Sequence, residues 1–420
     1  MATRITLNAI LSYLEELTLS TTVEIPESPK KAQNRSKHVL VIGGGVGGLM
    51  TAWILLDKGY RVTVVSKEWA SLAKPLTSQI ARALWEYPPG GCGITEIETP
   101  LFGCSTLEQY REWALQSFEF YRLMADRDEL IGDGLERAAG AGKFGAKMKT
   151  LFQFFQHPIE EESRVHGRDD RHCDKYFEMK TLDKSVDSPF RDQLKVNYHC
   201  MADANGGKNH PAPMIDTDVA MAFLMRLVQS KGVVLEAREI IGDLRLHERE
   251  LLSDYHADII VNASGIGARE LATDSQIFPV RGAVKKIRRP EGYPADHAFL
   301  LPAQMNHDGY GSVSKTVFIV PRNDDTLVIG SITQCNNWQL NLSPDSTEVK
   351  AMWERTTEFL PVFEDADHEV YRANTCRIVH NYSHGGSGWT LAIGCARTCV
   401  RLIEEILDTG RSANAEVCRL

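Results

Sequence analysis

Residues 38–68 read "HVLVIGGGVGGLMTAWILLDKGYRVTVVSKE". His38 to Ile42 is a short, β-branched apolar run that stops at glycines, the pattern of a buried strand. From Val46 to Lys58, the apolar Leu49, Trp53, Leu55 and Leu56 recur at helical spacing, and Gly59 ends that helix as a glycine just past a helix C-terminus does. Arg61 to Val65 reads as a second strand. Strand, glycine turn, helix, strand is the opening half of a parallel α/β sheet. Gly43, Gly45 and Gly48 form the G-x-G-x-x-G spacing at the strand-to-helix junction. There the first glycine permits the tight turn, the second lets a pyrophosphate reach the backbone, and the third lets helix and strand approach. The helix N-terminus adds the positive end of a dipole for phosphates. Glu68 follows Gly48 by 20 residues, where a carboxylate accepts ribose hydroxyls; it reads nearly as well as a solvated residue just past the strand. The fingerprint gives a dinucleotide site but does not choose between NAD and FAD.

The remainder of the chain adds similar units with other material inserted. Residues 104–130 have helical periodicity with aromatics on one face, and 140–210 mix charged loops with strand-like pieces such as "LFQFF" (151–155). "DTDVAMAFLMRLVQSKGVVLE" (216–236) reads as a helix then a strand, and "ADIIVNASGIG" (257–267) as a buried strand closing on Gly265 and Gly267. "TVFIVPRNDDTLVIGSI" (316–332) reads as two apolar strands around an "RNDD" turn, a β-hairpin. Near the end, Gly385, Gly386 and Gly388 open a helix beginning near Trp389. Such glycines bring bare amides against a planar ring, and the helix aims its positive end at the same place. Thr390 offers a hydroxyl there, while small Ala392, Gly394 and Ala396 let the helix lie close to a neighbour. A glycine-rich loop capping an ordinary helix reads equally well on these residues alone.

Composition narrows the partners. With 47 Lys and Arg against 56 Asp and Glu, the net charge is -9, which argues against nucleic acid as a main partner. The 43% hydrophobic content of 420 residues supports a large core and two closely joined domains. No apolar run reaches membrane-spanning length. "MATRITLNAILSYLEELTLS" (1–20) is leucine-rich but interrupted by Glu15 and Glu16, and reads as an amphipathic extension rather than a signal peptide. Nine cysteines without a C-x-x-C pair or zinc spacing read as thiols in a reducing compartment, and no metal site is expected. The final Cys418-Arg419-Leu420 lies within the variant range of the peroxisomal C-terminal address, and such short patterns also arise by accident.

"IVHNYSHGGSGWTLAIGCA" (378–396) resembles the C-terminal signature of the D-amino-acid oxidase family of FAD-dependent flavoproteins. The resemblance covers most of residues 38–405. It also takes in the fingerprint, "LTSQIARALWEYPP" (76–89), "ADIIVNASGIGARELA", "VRGAVKKI" (280–287) and the 316–332 segment. It implies a Rossmann-like FAD-binding domain with an inserted α+β substrate domain built on a mostly antiparallel sheet. The expected division is an N-terminal extension, 1–37; a discontinuous FAD domain, 38–90, 211–290 and 373–420; and a substrate or cap domain, 91–210 and 291–372.

The same resemblance implies noncovalent FAD. Its adenine and phosphate contacts fall at Gly43, Gly45, Gly48 and Ser78, and its flavin contacts at Ala83, Leu84, Gly385, Gly386, Ser387, Gly388 and Thr390. Val46, Gly47, Glu68, Thr77, Gln79, Ile240, Ser264, Gly265 and Trp389 complete the expected cofactor set. Family members hold a substrate carboxylate with an arginine and a tyrosine. Phe318 stands where that tyrosine is common and cannot donate the hydrogen bond. Tyr310 in "HDGYGS" is the candidate substitute, or an ordinary loop tyrosine. Arg372 matches the first arginine of the family pattern, although "EVYRANTCRIVHNY" is shorter than the family's segment. Arg377 reads as a surface or strand-end residue, Arg82 as an anion contact or one that points away, and Ser383 as a mild change within the signature.

No catalytic triad or carboxylate pair stands out. Direct hydride transfer from a neutral amine to a flavin needs none, because the C–H bond has only to be aimed. The implied reaction turns a D-amino acid or related small-molecule amine into an imine, with molecular oxygen becoming hydrogen peroxide. Two other readings stand beside it: a tailoring oxidase for a larger biosynthetic intermediate, and a flavin-binding protein with decayed catalysis. A peroxisomal import receptor is the expected partner of the C-terminal tripeptide.

Overall fold

The computed structural model describes residues 34, 36–81, 83–85, 107–131, 142–155, 180–182, 206–275, 277–301, 317–330, 332, 334–335, 337–339, 342–363, 368–380, 382–384 and 388–409. The opening stretch folds as its pattern predicts, into β1 (His38–Ile42), α1 (Val46–Asp57) and β2 (Arg61–Ser66). Further along lie α2 (Thr77–Ile80), α3 (Leu107–Ile131), β3 (Ala146–Phe155), β4 (Lys180–Leu182), β5 (Gly206–Ile215) and α4 (Thr217–Ser230). Then come β6 (Val234–Ala237), α5 (Leu244–Asp254), β7 (Ile259–Asn262), a 3-10 turn (Gly265–Gly267) and α6 (Ala268–Leu271).

The first sheet is parallel, in the order β6-β2-β1-β7. β1 pairs with β2 from His38↔Arg61 to Ile42↔Val65, and with β7 from Val39↔Ile259. All five residues of β1 are buried, so it reads as an unbroken apolar run rather than an alternating one. α1 is buried around most of its circumference because it lies among the sheet, α3 and α4, and also against α8 (Gly388–Thr409). Its end is a full Schellman closure: Gly59, at φ 91°, donates to the Leu56 carbonyl at 2.9 Å, and Tyr60 donates to that of Leu55 at 3.0 Å.

The second sheet is built from β3, β4 and β5 with β8 (Phe278–Arg288), β9 (His297–Leu301), β10 (Val317–Pro321), β11 (Thr326–Gly330) and β12 (Gln334–Cys335). β13 (His368–His380) and β14 (Tyr382–His384) complete it, and α7 (Thr347–Phe359) covers one face. The order is β14-β13-β8-β11-β10-β9-β3-β5-β4, with β12 also on β8. All its pairings are antiparallel except β3 with β9. The expected α/β class, a Rossmann-like unit beside a mostly antiparallel sheet, therefore holds. Residues 278–288 and 373–380, which sequence order groups with the dinucleotide unit, are strands of this second sheet. β8 lies between β11 and β13, where its alternating side chains are covered on both faces.

Strand periodicity divides this sheet into two faces. Val284, Leu300, Phe318, Val320, Val328, Leu151 and Met214 join one large core with α1, α3 and α8. Ile287, Phe299, Val317, Ile319, Leu327 and Ile329 pack instead with Phe359 and Phe363 under α7. Each such buried side chain contributes about 1.5–3 kcal/mol, so the sheet is anchored from both sides. Only the first face looks toward the dinucleotide unit.

α8 closes the molecule against α1 and α3. Lys58 pairs with Glu404 at 3.0 Å, and the Trp113 indole donates to Thr398 Oγ1 at 3.0 Å. Gly394 lies so near α3 that an added Cβ would fall 2.5 Å from Trp113 Cα and 2.8 Å from its carbonyl oxygen. Neither backbone atom can move without displacing a helix. Gly394→Ala is expected to destabilise the protein by about 2 kcal/mol, as overpacking typically does. Denaturant unfolding measures this, and an unchanged midpoint would show that the α3–α8 contact has slack.

Candidate functional site

The fingerprint is a main-chain cradle in which close approach dictates glycine. Gly43, at φ 121°, has no room for a Cβ, which would meet the Ala263 carbonyl oxygen at 2.1 Å. A Cβ on Gly48 would meet the Gly43 oxygen at 1.9 Å, and one on Gly45 would stand 3.3 Å from Ser78 Oγ. The Val46 amide at the start of α1 donates to Ser78 Oγ at 3.2 Å. As an acceptor there, the Ser78 hydroxyl keeps its own proton for an oxygen such as that of a phosphate. Val46 itself is buried, and the Gly47 carbonyl accepts from Thr51 at 2.8 Å. Trp69 belongs to the cradle but was missed in the sequence. Its ring covers Gly44, whose Cβ would lie 2.7 Å from it. Nothing in the spacing of an isolated tryptophan marks such a contact.

The other expected cofactor residues collect at the same edge, the C-terminal ends of β1, β2 and β7, where open α/β sheets bind ligands. The Glu68 carboxylate pairs with Lys74, whose hydrogen bond holds it below the usual carboxylate range. Ser264 donates its hydroxyl to Asn262 Oδ1 at 2.6 Å, and Gly265, at φ 59°, opens the 3-10 turn. Two expected side chains are used internally. Ile240 packs against the cluster of Leu40, Ile42 and Val65. Gln79 Oε1 accepts the amides of Ser71 and Leu76 at 3.2 and 3.1 Å, and its Nε2 donates to Asp218 at 2.9 Å. Gln79 thus holds the 71–76 loop, and its amide group is not turned to a ligand.

Thr77 starts α2, and the segment after it crosses to the second sheet. The Ala83 carbonyl accepts from the Ile215 amide at 3.1 Å, Leu84 bridges Met214, and Trp85 donates from Nε1 to the Ala114 carbonyl at 2.8 Å. Ala83 takes a positive φ of 47°. A larger side chain bears that conformation less well.

The N-terminus of α8 meets this segment. The Trp389 indole donates to the Ser78 carbonyl at 2.8 Å, and its own carbonyl accepts from the Tyr121 hydroxyl at 2.7 Å. A Cβ at Gly388, the first residue of the 22-residue helix, would meet no described residue within 4 Å. Thr390 follows, buried among core residues. Three chain-distant segments, at 43–48, 77–85 and 388–390, therefore converge through Ser78. An anionic pyrophosphate fits the bare amides of α1, and a reduced flavin ring carrying negative charge fits the positive end of α8. Gly385, Gly386, Ser387, Arg82 and Tyr310 lie outside the described residues, as does the C-terminal tripeptide.

Of the expected substrate residues, Phe318 and Arg372 lie on strands of the second sheet. Phe318 is buried, with its ring seated on Gly330, where a Cβ would fall 2.4 Å from Cζ. It belongs to the face that looks toward the dinucleotide unit. Across β11 and β8, residues on that face include Val328, Lys286 and Val284. Arg372 stands opposite Ala283, which belongs to the face under α7. That face already holds buried Arg281 and Lys285; the Lys285 ammonium lies 4.0 Å from the Trp353 ring centre and is pushed down to about 8 by burial. Arg377 stands opposite Phe278 in the same pairing. β13 runs past α2, and β13 and β14 past the 3-10 turn, so the strand that carries both arginines borders the cofactor elements.

Comparison with known proteins agrees with this geometry. The model of the FAD dependent oxidoreductase family matches residues 38–402. The chain is 26% identical over 389 residues to a D-amino-acid oxidase of Dictyostelium discoideum, covering 88% of this chain and 92% of that protein. It is 25% identical over 385 residues to one of Rubrobacter xylanophilus, covering 87% and 95%. Among solved structures, the fold is shared with glycine oxidase from Bacillus cereus (TM-score 0.64, 17% identity, 91% of this chain and 98% of that one). It is shared too with L-proline dehydrogenase from P. horikoshii (TM-score 0.61, 14% identity, 90% and 95%).

The Trp389–Ser78 bond yields a test. Trp389→Phe keeps an aromatic ring and removes only the indole donor, so FAD affinity of the refolded apoprotein is expected to fall about five- to tenfold, the worth of about one hydrogen bond. Flavin-fluorescence titration reads the change, and affinity equal to that of the unaltered protein would detach α8 from the cofactor site.

Proposed function

Because the chain belongs to the FAD-dependent oxidoreductase family, we propose that it is an oxidase of a carboxylate-bearing amine, a D-amino acid or a close derivative. The products are an imine, which hydrolyses in water, and hydrogen peroxide from molecular oxygen. When bound, FAD supplies the hydride acceptor. The chain's own residues have to hold the substrate so that its C–H bond is aimed, since a neutral amine needs no base.

The observation that carries this reading is the meeting at Ser78 of the glycine cradle and the start of α8, with β13 running past α2 and the 3-10 turn beside them. Of the arginines on β13, Arg377 is paired with Phe278 where the strand meets β14, and its guanidinium is the proposed anchor for a carboxylate, by charge and bidentate hydrogen bonds. Phe318, seated on Gly330, gives an apolar wall where a hydroxyl would add a second anchor. The site accordingly favours substrates with an apolar group near the carboxylate. The same missing hydroxyl supports a second reading, a larger biosynthetic amine held mainly by its apolar part. Cys418-Arg419-Leu420 supports a peroxisomal location, in keeping with a peroxide-forming reaction.

A panel of D-amino acids and N-substituted amino acids, assayed for peroxide and for anaerobic bleaching of the flavin, tests the proposal. Bleaching by at least one carboxylate-bearing amine is expected; a flavin that stays oxidised with all of them would sink the oxidase reading. Arg377→Met is expected to lower kcat/KM for a carboxylate substrate about 100-fold, the cost of about 3 kcal/mol for truncating a desolvated charge pair. Arg372→Met should leave it within a few-fold. The reverse ranking would give the role to Arg372.

A further inference from the structure

The segment that brings Ala83 and Leu84 to the cofactor has no regular structure beyond α2, yet one distant side chain fixes its main chain. Arg322 opens the turn between β10 and β11 and is 5% exposed. Its Nη2 donates to the carbonyl oxygens of Ala81 at 2.9 Å and Gln79 at 3.4 Å, and its Nη1 donates to Thr217 Oγ1. Thr217, fully buried, passes its own hydroxyl proton to the same Gln79 carbonyl at 2.6 Å. Two carbonyls of this segment's backbone, two residues apart, are thus gripped by a cation and by a hydroxyl that the cation also holds.

The arrangement is costly for a residue with only a packing role. Burying a guanidinium is unfavourable unless it is paired, and among the described residues no carboxylate hydrogen-bonds Arg322. Asp216 and Asp218 favour its charge only from a distance, and its Nε is buried without a partner among the described residues. The guanidinium's hydrogen bonds among those residues go to the 79–81 backbone and to Thr217. Immediately downstream, Ala83 is held at φ 47°, a conformation unfavourable for any residue but glycine. Its carbonyl is tied to Ile215 at 3.1 Å, and the amide of Trp85 is tied to the Pro213 carbonyl at 3.2 Å. The segment is pinned before Ala83 by Arg322 and after it by β5, and the strained residue lies between the pins.

We infer that Arg322 is a positioning residue for the cofactor: by fixing the carbonyls of Gln79 and Ala81 from the second sheet, it holds Ala83 and Leu84 in the conformation that meets the isoalloxazine ring. The inference rests on those two residues meeting the flavin, and is independent of which amine is oxidised. Its test therefore needs no substrate. Arg322→Lys keeps the charge but cannot span two carbonyls and a hydroxyl together, and Arg322→Met removes the donors. In each, FAD affinity of the apoprotein, the shape of the bound flavin's visible bands and the apoprotein's Tm are measured.

Expected for both variants is a loss of FAD affinity of about tenfold or more. The visible bands should shift toward those of free flavin, and lysine should rescue little over methionine. A lower Tm with affinity and bands unchanged would make Arg322 a structural residue only and overturn the inference, as would full rescue by lysine. If neither variant folds, Thr217→Val decides. Removing that hydroxyl leaves Arg322 in place but takes away half of the grip on Gln79, so affinity should fall about threefold with a band shift. Unchanged affinity and bands in that variant overturn the inference equally.

Discussion

Ser78 joins parts of the molecule that sequence keeps far apart. Its hydroxyl takes the first amide of α1, and its carbonyl takes the indole proton of Trp389 at the start of α8. Both helices present their positive ends to the same cleft, and each alone would point a dipole at nothing in particular. The glycine cradle beneath, with Gly43 against Ala263 and Gly48 against Gly43, sets the depth of that cleft. The Ser78 bonds set the angle at which the second helix enters. The second sheet is then aligned to the cleft through Ala83 and Leu84, which are bonded to β5.

Much of this was legible in the residues themselves. Where local rules act over a few positions, the reading and the molecule agree: the opening strand, helix and strand, the Gly59 closure, the hairpin around "RNDD" and the last helix. Gly43 and Gly48 were legible for the same reason, since a steric demand on one backbone atom leaves a glycine behind. What stayed hidden depends on pairing at long range. Nothing local reveals that Trp69 lies over Gly44, that Gln79 turns its amide to Asp218, or that Arg322 reaches Ala81. The pairing of Arg372 with Ala283, a residue almost ninety positions earlier, is likewise disclosed only by the register.

The two faces of the second sheet also differ in kind. Toward α7, cations are buried with local compensation: Arg281 is held by Gln334 and Glu348, and Lys285 lies on Trp353. Toward the cofactor, the face is lined by aliphatic and aromatic side chains, with Lys286 paired to Asp218 at 3.5 Å near its margin. A low-dielectric wall strengthens any charged contact made against it. A cation brought to such a wall would discriminate more strongly for an anion than the same cation among other charges.

The cleft is assembled from the beginning, the middle and the end of the chain: β1 near residue 38, β7 near 260 and α8 from 388. A ribosome releases these parts in that order, and the last is needed both to complete the flavin side and to cover α1. Until α8 emerges, the aliphatic surface of α1 and the aromatic face of α3 have no lid, and contacts spanning so much sequence form late. FAD consequently meets a finished binding site only once the segment that carries α8 has been made.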